Sequence, residues 1–241
     1  MNFFKTNKTD VTGLGMEFSS IPADTGKIQK LYRLYEKTMA GTQLMCREGC
    51  AGCCTCNVIV TGLETAFLVQ SLDSEALAGV KKRLGKNFPA KRYIPKMTTN
   101  QFAEVCLSGQ DIPEEENNPE WGKCPLLEDD RCTLYPVRPF GCRSMMSQTD
   151  CLKTGYAQVP PLVLTITNIF VQTIEHLDHQ GISGNLSDML VHYLGLEKYQ
   201  DSDKTNLFTK NSKIQALMVP PEHRLKVASL LKQIAALTQG V

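Results

Sequence analysis

The chain has 241 residues, 42% hydrophobic and 21% charged, with a net charge of +1. At this length folding buries roughly 70 to 75% of the unfolded surface, so neither metal nor disulfides are needed merely to obtain a core. The near-neutral charge excludes a strong overall attraction to nucleic acid or membrane, and the expected partner is a protein or small molecule.

Residues 1–26 show no sustained period and read as an irregular arm. They lack a basic start followed by an apolar run, and no later segment approaches the length of a membrane span, which predicts an unexported, cytoplasmic chain. A helix is expected from Lys27 to Ala40, where Ile28, Leu31, Tyr32, Leu34, Tyr35 and Met39 fall on one side. Asn57 to Val60 reads as a short strand, and Thr61 with Glu64 forms a capping box at the start of the next helix. Further helices are expected at Ser74–Lys86, Asn100–Ser108, Pro161–Gln180, Leu186–Leu194 and Glu222–Thr238. The Pro161 segment carries the strand-preferring Val163, Thr165, Ile166, Thr167, Ile169 and Val171, but its length and the closing Gly181 favour helix. Residues 109–131 read as a long acidic loop. The predicted architecture is mainly α: helices around an irregular cysteine-rich core with a short β element. Residues 27–160 are expected to form one cysteine-bearing region, read below as metal-binding, and 161–241 to supply helices packed on the same domain.

Ten cysteines are many for a cytosolic chain, where thiols are kept reduced, so metal binding or thiol chemistry is expected rather than disulfides. The segment CREGCAGCCTC holds Cys46, Cys50, Cys53, Cys54 and Cys56, and a second set follows at Cys124, Cys132 and Cys142, with Cys151 nine residues later. Thiolates this close on a turn-rich backbone can converge on one soft ion or cluster, with Gly49 and Gly52 permitting the turns. Cys53 and Cys54 are adjacent, so their side chains diverge and one ion would not take both. Cys106 stands alone between Val105 and Leu107 and reads as a small buried residue, while Cys56 could simply enter the core.

The motifs CREGCAGCC, TGLE, CPLL, CTLY and RPFGCR together resemble the YkgJ-like cysteine-cluster family, a CxxCxxCC zinc- or iron-chelating domain, over roughly residues 45 to 152. The resemblance implies ligands at Cys46, Cys50, Cys53, Cys54, Cys124, Cys132 and Cys142, with Arg138, Pro139 and Arg143 belonging to the site. The first spacing here is C-x3-C rather than C-x2-C. A related flagellin lysine methylase carries a similar cysteine set associated with an iron–sulfur cluster. That likeness ranks a 4Fe–4S centre with a redox or substrate-binding role first. A structural zinc module and a lysine methylase-like enzyme are the alternatives, and spacing alone supports both metals.

Arg138 and Arg143 could offset the negative charge of a thiolate centre, whereas Arg131 reads as a surface ion pair with Glu128, Asp129 or Asp130. Met145 and Met146 read as packing rather than copper ligands. His176 and His179 could share a metal, but read first as cations at a helix end. The basic run 81–96 has an internal partner available in the acidic stretch Asp111–Glu120.

Overall fold

The computed structural model describes residues 25–196 and 206–239. Residues 1–24 of the expected arm lie outside these residues, and its last two, Thr25 and Gly26, are helical. Helix α1 spans Thr25–Met39 and buries all six residues of the predicted stripe. Strand β1 is Ile59–Thr61, one residue on from the expected end, and α2 follows at Gly62–Gln70. Both halves of the Thr61/Glu64 capping box are made. Then come α3 (Ser74–Asn87) and α4 (Thr99–Ser108).

The acidic stretch is not wholly irregular. It carries a 3-10 turn at Pro119–Trp121, then the hairpin of β2 (Leu127–Glu128) and β3 (Arg131–Cys132). Two short helices, α5 (Phe140–Ser144) and α6 (Cys151–Thr154), follow the hairpin.

Helix α7 spans Pro161–Leu177 and settles the ambiguous segment as helix, although it stops three residues before the expected end. Its β-branched residues are tolerated because Val163, Ile166, Ile169 and Ile174 are packed in the core, and packing outweighs a weak propensity. The chain then forms β4 (Ile182–Asn185), α8 (Leu186–Tyr193), β5 (Phe208–Lys210) and, after a 3-10 turn at Pro221–His223, α9 (Arg224–Thr238). Strands β1, β4 and β5 make a three-stranded antiparallel sheet in the order β1-β4-β5, with Val60 opposite Gly184 and Ser183 opposite Thr209. No described helix is long and apolar enough to cross a membrane.

Two apolar cores adjoin the sheet. The larger joins α1, α7 and α9 with Leu63 and Phe140; the smaller joins Val60, Leu68, Val80, Leu84, Leu126, Leu134 and α8. Cys124 and Cys132 pack partly against the smaller core, while Phe140 enters the larger one two residues before Cys142. The cysteine segments therefore run between two bodies of packing.

Candidate metal centre

Backbone hydrogen bonds bring the two cysteine segments side by side. The Cys56 amide donates to the Gly122 carbonyl (3.0 Å), the Cys124 amide donates to the Cys54 carbonyl (2.9 Å), and Thr55 pairs with Lys123. Tight turns shape the first segment: the Cys50 amide reaches the Arg47 carbonyl and the Cys54 amide reaches the Ala51 carbonyl, each at 3.1 Å. Gly49, at φ +85°, takes a left-handed conformation that a side chain would strain. Cys132 lies opposite Leu127 in the hairpin, whose turn residues Asp129 and Asp130 are both left-handed, as a two-residue hairpin turn requires. Cys142 sits on α5, which begins directly after Pro139.

The thiols sort into an inner and an outer neighbourhood. Burial pushes the Cys142 thiol well up, helped by Cys124, Cys132 and Cys53. Burial likewise pushes Cys124 up to about 11. Cys53 and Cys54 share a hydrogen bond that holds the Cys53 thiol down and drives Cys54 up, which corrects the expectation that adjacent side chains diverge: here the two sulfurs meet. Cys54 also feels Cys142 and Cys124. The inner neighbourhood is thus Cys54, Cys124, Cys132 and Cys142, with the exposed Cys53 linking it to the outer one. Cys46 is raised first by burial and also by Cys53, Cys151 and Cys50, which places these four together nearer the surface. Among the described residues no three Cys, His, Asp or Glu side chains already converge at metal-holding spacing.

Arg138 supplies the test of what such a site would accept. Its guanidinium lies over the Tyr135 ring (4.1 Å), and its charge favours the thiolates of Cys53, Cys132 and Cys142. Its buried Nε has no hydrogen-bond partner among the described residues. An orphaned cationic donor near three soft, ionisable sulfurs fits an anionic sulfur-ligated centre, whose sulfurs would accept that hydrogen bond. Arg143 is used differently from Arg138. Its Nε donates to the Arg138 carbonyl (2.8 Å), Nη2 donates to the Pro136 carbonyl (2.8 Å), Nη1 pairs with Glu36, and the group lies 4.5 Å from the centre of the Tyr32 ring. It grips the turn that carries the site rather than the sulfurs.

Other candidates separate cleanly. Cys56 is buried with its thiol directed to Asn57 and the Lys91 carbonyl. Cys106 is exposed, which corrects the expectation of a buried residue: α4 turns Asn100 and Ala103 inward, leaving Cys106 on its outer side. Met146 packs against the larger core and Met145 is exposed. The Nδ1 of His176 accepts from the Ile214 amide (3.2 Å), and burial lowers its basicity, opposite to a charged helix-end cation. Part of the basic run meets the acidic stretch, through Tyr93 to Glu115 and Lys96 to Glu115 and the Glu114 carbonyl, while Arg92 pairs with Asp188 (2.6 Å).

Two residues stand out that spacing did not mark as part of the site. Cys151 is brought beside the first segment by the Met45–Ser147 backbone bond (2.8 Å) and by Leu152, which lies against Gly52 where a Cβ would sit only 2.9 Å from Cδ2. Glu64 reaches beyond its capping box to accept from the Phe140 amide (2.8 Å) at the start of α5. A cavity of about 410 Å³ is bordered by Lys123, Cys124, Asp129 and Asp130. The chain matches no family model, no curated protein and no solved structure.

Proposed function

We propose that the chain is a cysteine-cluster metal protein of the YkgJ-like kind, holding an iron–sulfur centre on Cys53, Cys54, Cys124, Cys132 and Cys142, with Cys46 and Cys50 completing the set. The observation that carries this reading is the buried, unpartnered Nε of Arg138, whose charge reaches Cys142, a thiol that also feels Cys124, Cys132 and Cys53. The motif resemblance supports iron over zinc.

When bound, such a centre supplies one-electron transfer, or an open iron position for a substrate atom. The chain's own contribution is to hold thiolates on rigid turns, to place Arg138 as a cationic donor, and to leave one side open at the cavity beside Cys124. Hydrogen bonds and cations near the sulfurs set such a centre's potential.

Full-length protein purified without oxygen tests the reading. Iron and acid-labile sulfide in comparable amounts, both lost in Cys142→Ser, are the expected result. Stoichiometric zinc without sulfide would replace iron with a structural zinc site, and neither metal would overturn the reading.

A further inference from the structure

Two buried charged side chains hold the turn that presents Arg138 and Cys142. Arg143 takes the carbonyls of Pro136 and Arg138 from one end, and Glu64 takes the amide of Phe140 from the other. Tyr32 joins them, donating its hydroxyl to Glu64 (2.7 Å) while its ring lies against the Arg143 guanidinium. Glu64 is only 5% exposed, and both its oxygens are filled by donors: Oε1 by Tyr32 and Phe140, Oε2 by the amide (3.1 Å) and hydroxyl (3.2 Å) of Thr61. A capping box needs only the Thr61 side; the Tyr32 and Phe140 bonds tie the start of α2 to α1 and α5.

We propose that Glu64 is a positioning residue for the sulfur site, acting with Arg143 as a clamp that fixes the Pro136–Phe140 turn and so sets how Arg138 and Cys142 meet the other thiols. The part concerning Arg138 and the bound centre rests on the reading above; the clamp on Cys142 does not. Glu64→Gln is the informative change. Whichever way its amide is turned, an NH2 group faces donors on one side, so either Thr61 or the Tyr32–Phe140 pair loses its acceptor.

The test uses the full chain in two arms. In metal-free, reduced protein, iodoacetamide labelling is followed by mass at each cysteine. Glu64→Gln is expected to raise the Cys142 rate roughly tenfold, as loss of a buried acceptor loosens the turn, with Cys106 unchanged. In loaded protein the midpoint potential of Glu64→Gln is expected to move in the same direction as that of Arg138→Met, and the double variant no further than Arg138→Met alone, because one acts through the other. An unchanged Cys142 rate in a variant of native circular dichroism, or additive shifts of potential, would overturn the proposal. Should Glu64→Gln fail to fold, Tyr32→Phe removes one donor with little change of shape, and an unchanged Cys142 rate there is equally decisive. A wild-type chain without a reducible centre counts against the iron reading, and the labelling arm still decides the clamp.

Discussion

Cys142 and Cys106 carry the same thiol in opposite settings. Cys142 is half-buried near Cys124, Cys132 and Arg138, whereas Cys106 is exposed on the outer side of α4. Cys142→Ser is expected to abolish metal loading and Cys106→Ser to leave it intact, as measured by metal content per chain. Asp178 gives a second residue-scale prediction, away from the thiols. Its carboxylate accepts from the Leu63 amide and the Asn211 side chain, both at 3.0 Å, and burial pushes its pKa up to about 7 from an ordinary 3.8. The folded state therefore holds a proton that the unfolded chain releases near 3.8. The stability this contributes is fully present below that value and is lost as pH rises through about 7. Denaturation midpoints of wild type and Asp178→Asn between pH 4 and 7 should differ in slope, the variant losing less as pH rises; parallel curves would contradict the assignment.

The short helix α5 links both apolar packing and sulfur chemistry. Phe140 is 2% exposed and packs among Tyr32, Tyr35 and Phe170, with centroids 6.2, 4.7 and 5.7 Å away. Phe140→Ala should cost about 3 to 5 kcal/mol in chemical denaturation, by lost burial and a cavity that the aromatic neighbours cannot fill. A cost below about 1 kcal/mol would show that α5 is not seated on this core. The elements that sequence makes legible are those built from local signals. The stripe of α1 and the Thr61/Glu64 box are examples, since spacing and capping act within a few residues. Strands β4 and β5 were not legible: Ile182–Asn185 contains a serine, a glycine and an asparagine, and it is a strand because it lies between β1 and β5. The second role of Glu64 was hidden for the same reason, since its partner Phe140 is distant in sequence. Exposure of Cys106 depended on which face of α4 meets α7, which a ten-residue helix with mixed faces does not declare.

At the scale of the whole molecule, two cores flank one seam. Helices α1, α7 and α9 pack on one side, and α3, α8 and the hairpin's neighbours Leu126 and Leu134 on the other. The first cysteine segment leaves α1 and enters β1, while the second runs from the acidic stretch through the hairpin to α5, so each passes from one body of packing to the other. The Cys124–Cys54 and Cys56–Gly122 bonds close the seam. A centre bound there would tie the two bodies together, and wild-type protein loaded with metal should unfold at higher temperature than the stripped chain, since binding to the folded state alone stabilises it. The central claim, that thiols from both segments hold one iron–sulfur centre, is tested most directly by X-ray absorption at the iron edge of anaerobically purified full-length protein. A first shell made of sulfur and a second shell of iron–iron scattering are expected. A first shell of nitrogen or oxygen, or metal present only as zinc, would contradict it.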